Sequence, residues 1–244
     1  MIEVQGLSFA YGRQQVIRNV SCQIPDGQVT AIIGPNGAGK STLLRLMAGI
    51  VKPNDGHIFV DGRNTADIRA KEFARMLAFL PQNRPTPALS VHDLVQLGRF
   101  AHEKGSPQAV EEAIRTVGLS DLIHRDVRTL SGGQRQMACL AMLLAQEAGH
   151  VLMDEPFTHL DIGAQLDTVQ VIRSMKSEGK SVAVVMHDLN LLETVCDRVL
   201  LLQDGGITFE GTAQECLRSK ELEKAFGVRI LANQGISFEK LCFT

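Results

Sequence analysis

Gly34, Gly39, Lys40 and Ser41 stand at the spacing G-x-x-x-x-G-K-[ST], inside the run Gly34, Pro35, Asn36, Gly37, Ala38, Gly39, Lys40, Ser41 and Thr42. This pattern makes a phosphate cradle. Glycines let the backbone wrap closely around phosphate oxygens. Their N–H groups and the start of the following helix face the anion. At these positions Lys40 is placed to reach the terminal phosphates, and the Ser41 hydroxyl to hold Mg²⁺. The flanks suit the motif: Gln28–Ile33 is an apolar, β-rich run, and Thr42–Ala48 reads as a helix. A glycine-rich turn that binds nothing would need neither.

A second chemical signal is the apolar run His150–Asp154, followed by Glu155. Ionised carboxylates at the end of a buried strand need a partner. A metal ion and an attacking water supply one, with Asp154 on Mg²⁺ and Glu155 polarising the water. A solvent-exposed acidic pair is the plainer reading of Asp-Glu alone; the phosphate loop upstream and Pro156 as a stop weigh against it. A third apolar run, Ser181–Met186, ends at His187. In one parallel sheet the C-terminal strand ends lie together, so His187 becomes a γ-phosphate contact. Asp188 is a cap for a helix over Leu189–Cys196.

The heptapeptide Leu130-Ser-Gly-Gly-Gln-Arg-Gln136 narrows the choice among phosphate-loop proteins. With it, the chain resembles the nucleotide-binding subunits of ABC transporters from about Ile2 to about Val228, every motif in the family's order. The resemblance implies that the cofactors are ATP and Mg²⁺. It also implies that Tyr11 stacks on adenine, that Gln82 senses Mg²⁺ and a transmembrane partner, and that Asp161 belongs to the loop between the acidic strand and the next helix. Glu155, His187 and Lys40 are then the catalytic set, and Ser41, Gln82 and Asp154 the metal set. Ser131 can cap the helix running from Gly132 to about Glu147. Gly132 and Gly133 expose N–H groups at its start, which in the family meet the γ-phosphate held by a second copy. Met137, Met142, Phe157 and His159 depart from the commonest pattern, at positions that bear on dimer contacts.

The implied fold is α/β: a P-loop NTPase core with an antiparallel β subdomain and a helical subdomain carrying the signature. The expected layout is one ATPase domain over 1–228, its helical part at about 84–147, and a short extension over 229–244. Residues 1–33 and 56–62 read as short strands joined by the turns Pro25–Gly27, Asn54–Gly56 and Asp61–Gly62. A strand ends at Leu80. Ser90 caps a helix through Gly98; Pro107–Val117 is a second, ended by Gly118, and Asp121–Arg125 a short third. Asp161–Glu178 is a long helix with Leu166, Val169, Ile172 and Met175 inward, stopped by Gly179. Strands Arg198–Gln203 and Ile207–Glu210 flank Asp204–Gly206, and Ile230–Ala232 and Ile236–Phe238 read as short strands around Asn233–Gly235.

The 244 residues are 44% hydrophobic and 21% charged, ordinary for a soluble globular protein. A net charge of −2 gives no nucleic-acid signature. No apolar run approaches the roughly 20 residues of a membrane span, and the start lacks a signal-peptide pattern. Cys22, Cys139, Cys196, Cys216 and Cys242 are scattered and read as reduced thiols. These features read as a cytosolic chain; the resemblance implies a place on the cytoplasmic face of a membrane, with a second copy of itself, transmembrane permease subunits and, indirectly, an extracytoplasmic binding protein as partners. Pro81–His102, Arg135–Gln146 and Met186–Asp197 are similar to the branch importing ferric siderophores, haem and cobalamin, with a ferric siderophore as the expected cargo. A soluble ABC ATPase of the iron–sulfur assembly type is the alternative. Repair ATPases carry long arms, and translation factors two ATPase domains; this chain has neither. A kinase would have no use for the signature or the histidine.

Overall fold

The computed structural model describes residues 1–102, 107–232 and 236–240. A hairpin of β1 (Ile2–Tyr11) and β2 (Gln14–Ile24) opens the chain. Then come β3 (Val29–Ile33), α1 (Lys40–Met47), β4 (Asp55–Val60) and β5 (Arg63–Asn64). After α2 (Ala70–Met76) and β6 (Leu77–Leu80) the chain turns helical: α3 (Val91–Gln96), α4 (Pro107–Thr116) and α5 (Gly132–Ala145). The pattern then alternates through β7 (His150–Asp154), α6 (Ile162–Ser177), β8 (Ser181–Val185), α7 (Leu192–Val195), β9 (Arg198–Gln203) and β10 (Gly206–Thr212). Two short helices, α8 (Ala213–Leu217) and α9 (Lys220–Phe226), lead into the paired strands β11 (Val228–Ala232) and β12 (Ile236–Lys240).

Two sheets carry the fold. The smaller is antiparallel, in the order β2-β1-β4-β5; the larger runs β10-β9-β3-β8-β7-β6, parallel except for β10 at its edge. β3, β7 and β8 are buried at every residue, which is why they read as unbroken apolar runs. Their successive side chains point to opposite faces. Ile32, Leu152, Ala183 and Val185 join α1 and the antiparallel sheet in one core. Ile33, Met153, Val182 and Val184 join α3 to α6 in the other. The order puts β8 between β3 and β7, so the C-terminal ends of these three strands share one edge.

Several expectations need correction. Leu166 was expected inward on α6 and is 53% exposed, whereas Val169, Ile172 and Met175 are buried; the buried stripe runs through Ala164, Thr168, Val171, Ile172 and Met175 at the 3.6-residue period, and Leu166 falls on the opposite face with Ile162. Of the strands within residues 1–33, β1 and β2 join the antiparallel sheet and β3 the parallel one. The helix capped by Ser90 stops at Gln96 and tightens into a 3-10 segment over Leu97–Ala101. Gly98 sits there because an added Cβ would lie 2.2 Å from the Met142 carbonyl oxygen. The third helix is a 3-10 turn at Ser120–Leu122. The helix after Asp188 begins as 3-10 at Leu189–Leu191 before α7, with Asp188 accepting from Asn190 N at 3.0 Å. The tail strands pair antiparallel and are longer than read; Asn233–Gly235 and Cys242 lie outside the described residues. Cys22, Cys139, Cys196 and Cys216 are free thiols, and burial pushes Cys22, Cys196 and Cys216 up to about 12. No helix among the described residues is long and apolar enough to cross a membrane.

Candidate functional site

The loop from Gly34 to Gly39 joins β3 to α1, and its glycines answer to space as well as to torsion. Gly34 has φ 149°, and a Cβ there would stand 2.0 Å from the Leu202 carbonyl oxygen. Gly39 has φ 102°, with Val16 O 3.0 Å from a Cβ. L-residues rarely hold such torsions. The Lys40 ammonium is held by the carbonyl oxygens of Gly34 at 2.8 Å and Pro35 at 2.9 Å. Burial lowers its pKa, opposed by the charges of Glu155 and Asp154. Asn36, Gly37, Gly39, Lys40, Ser41 and Thr42 line a cavity of about 260 Å³ together with Val16, Glu155 and His187. Val16 carried no signal in the sequence beyond its place in a strand.

Asp154 ends β7 with no exposed surface. Its Oδ1 accepts from Ser41 Oγ at 2.9 Å, while its Oδ2 is buried with no hydrogen-bond partner. Burial, with the neighbouring Glu155 charge, raises its pKa; the Ser41 hydrogen bond opposes the rise. An unpartnered buried carboxylate oxygen beside a hydroxyl is a hard oxygen donor set of the kind that could hold a divalent cation.

Glu155 occupies the left-handed region, φ 53°, unusual for a residue with a side chain. Its N–H is fixed by the Val185 carbonyl at 3.1 Å. That strain turns the carboxylate away from the strand direction into a set of three donors. His187 Nε2 reaches Oε1 at 2.5 Å, and Gln82 Nε2 and Thr158 Oγ1 reach Oε2 at 2.6 and 3.1 Å. The structure therefore gathers Lys40, Ser41, Gln82, Asp154, Glu155 and His187 from four separate stretches of chain. Thr158 was missed in the sequence; a hydroxyl three residues beyond Glu155 is a weak signal without the turn that brings it back.

The signature stands on the helical side of the molecule. Ser131 Oγ accepts from Gln134 N at 3.2 Å, and Gln134 Oε1 accepts from Ser131 N at 3.0 Å. This reciprocal cap gives Gln134 a role and leaves the Gly132 and Gly133 amides outside the helical ladder. A Cβ on Gly132 would meet nothing within 4 Å, whereas one on Gly133 would stand 2.8 Å from Ala164 Cβ. Asp161 caps α6, accepting from Ala164 N at 2.8 Å. Tyr11 ends β1, 48% exposed, its ring edge-on to Phe9 with centroids 4.7 Å apart. It does not line the phosphate cavity. Of the residues that depart from the commonest pattern, Met137 and Phe157 are buried, and His159 holds φ 61°.

Residues 17–158 match the family described as ABC transporter. The chain is 39% identical over 234 residues to the ferric enterobactin transport ATP-binding protein of Escherichia coli (strain K12), covering 92% of this chain and 86% of that protein. It is 39% identical over 240 residues to a hemin import ATP-binding protein of Pseudomonas entomophila (strain L48), covering 95% and 94%. The solved ATP-binding subunit of an ABC transporter superposes with a TM-score of 0.81 at 26% identity, over 91% of this chain and 94% of that one.

Proposed function

This chain belongs to the ABC transporter family, and from that premise we propose that it powers import of an iron chelate, a ferric siderophore in the first place. It is an ATPase subunit that hydrolyses ATP for transport. Within the active site Lys40 turns from the Gly34 and Pro35 carbonyls to the β- and γ-phosphates, while the amides of residues 34–42 cradle them. Tyr11 stacks on the adenine from the end of β1. Ser41 and Asp154, with Gln82 at the edge, would hold Mg²⁺, which when bound neutralises charge on the phosphates.

Glu155 takes the proton from the attacking water. The water oxygen bonds to the γ-phosphorus as the bond to the bridging oxygen of ADP breaks. His187 holds Glu155 on one oxygen and faces the γ-phosphate. A second copy supplies Ser131, Gly132 and Gly133 across an ATP-bound dimer interface, since the signature lies on the helical side of its own chain. Asp161 positions α6 beside that interface. The observation that carries the chemistry is Glu155, strained and held by three donors, beside an unpartnered Asp154 oxygen.

The working unit is two copies docked on the cytoplasmic face of a permease, fed by an extracytoplasmic binding protein. The cargo rests on relatives, and hemin import relatives stand at the same identity as siderophore ones. Reconstitution with the permease and binding protein encoded beside it, offered ferric siderophore, haem and cobalamin separately, decides the matter. Ferric siderophore uptake is expected. Uptake of haem or cobalamin alone overturns the cargo and leaves the ATPase standing; no uptake and no permease partner favours a soluble ATPase.

A further inference from the structure

Gln82 is not the only residue of its loop that reaches across the molecule. Two positions on, Arg84 Nη2 donates to Gln136 Oε1 at 2.7 Å. Gln136 sits in the second turn of α5, the helix that begins at the signature, and is 5% exposed. The bond is part-buried, and Arg84 Nη1 and Gln136 Nε2 beside it are buried with no hydrogen-bond partner. Cys139, three residues further along α5, faces the same guanidinium, whose charge opposes the rise that burial gives its thiol.

The segment that makes both contacts is short and bracketed by prolines. Pro81, Pro85 and Pro87 fix their own φ angles, and Pro85 holds Arg84 extended. Gln82 and Arg84 are separated only by Asn83, so a displacement of one is carried to the other along two peptide links. At one end Gln82 holds Glu155 of this chain's own nucleotide site. At the other, Arg84 holds the helix whose start, Ser131 to Gly133, serves the site on the second copy.

We infer that Arg84, through Gln136, is a positioning residue that links the two nucleotide sites of the dimer. When the signature engages the partner's nucleotide, α5 shifts and pulls Arg84, and Gln82 moves against Glu155. Closure at one site then sets the base at the other. This rests on the dimer proposed above.

The test measures ATP hydrolysis by the full chain against ATP concentration, with the association state followed in parallel. Wild type is expected to give a Hill coefficient above 1, falling to about 1 in Arg84→Ala and in Gln136→Leu. Gln136→Glu, which keeps an acceptor for the guanidinium, retains it. The double variant Arg84→Ala/Gln136→Leu is no worse than either single change. In mixed dimers with only one working site, Arg84→Ala leaves that site's rate unchanged within about twofold, because nothing remains to be linked. A merely structural role for Arg84 would lower it. An unchanged Hill coefficient in an Arg84→Ala chain that still dimerises overturns the linkage alone. A wild-type chain that hydrolyses ATP as a monomer overturns the dimer and the linkage together.

Discussion

Gln82 Nε2 donates to Glu155 Oε2 at 2.6 Å, joining residues 73 apart in sequence. Gln82 follows β6, and Glu155 follows β7, its parallel neighbour. The bond occupies an oxygen that a base must offer to water, so movement of the loop at Gln82 changes what Glu155 can do. Gln82→Ala is expected to leave ATP affinity within about twofold while permease-stimulated turnover falls about tenfold. Equal losses in affinity and turnover would place Gln82 in nucleotide binding instead.

Glu155→Gln removes the proposed base but keeps the side-chain shape. Hydrolysis is expected to fall about 10²–10⁴-fold with ATP still bound, and the ATP-bound chain should persist as a closed dimer. Thr158→Val, which removes only a donor to the same carboxylate, should lower kcat about 3–10-fold with KM unchanged, and Thr158→Ser should restore it. Single-turnover kinetics with labelled ATP separate the two effects. Turnover of Glu155→Gln at the wild-type rate would mean that another group is the base.

The phosphate loop, the acidic strand and the signature were legible because each requires particular residues at fixed spacing and short range. Lys40 became a candidate from the motif spacing with its flanking strand and helix, and Asp154 from its strand end taken together with that motif and Pro156. Thr158 and Arg84 could not, because each acts through a turn or a contact that periodicity does not encode; Gln134 was overlooked although Ser131 and Gln134 stand at the capping-box spacing. Gly133 shows the limit from the other side. As a signature residue it was read as an exposed amide, yet its lack of a Cβ also lets α5 approach Ala164 on α6. Leu166 misled for a different reason: α6 carries the apolar Ile162 and Leu166 on its exposed face, opposite the buried stripe that starts at Ala164.

The two signature glycines should therefore respond differently. Gly132→Ala meets open space in a helical conformation and should leave the melting temperature unchanged or slightly raised. Its defect should be confined to ATP-driven association. Gly133→Ala must push Ala164 aside and should lower the melting temperature as well. Thermal melts beside sedimentation with and without ATP check both, and matching losses of stability would refute the distinction.

Asp154 gives a pH-dependent prediction. Burial raises its pKa in the folded chain above the ordinary carboxylate value, so the fold favours the protonated form. That contribution to stability is present below the ordinary value and is lost as pH rises through the raised one. Near neutral pH the ionised group costs the metal-free chain stability. Asp154→Asn is expected to raise its melting temperature by on the order of a few degrees near pH 7, with the gain fading toward about pH 4. The same variant should lose the extra stabilisation that Mg²⁺ with ATP gives the wild type. A melting curve unaltered by pH and by the metal would remove Asp154 from the metal set.

Lys40 and Ser131 provide the test of the shared site. Lys40→Ala should weaken ATP binding about 10–100-fold, because a charge-assisted contact to phosphate is lost. Ser131→Arg should leave ATP binding intact while blocking the signature with bulk and charge. Neither variant alone has a complete site if the cradle of one chain needs the signature of another. Mixed in equal amounts, about half the dimers contain one chain of each kind. In these, the intact cradle of the Ser131→Arg chain faces the intact signature of the Lys40→Ala chain, and the other site is doubly broken. Activity should recover to at most about a quarter of wild type. It should fall short of that limit to the extent that the surviving site depends on closure of its neighbour. Full activity of Ser131→Arg by itself would show that the signature is not part of the nucleotide site.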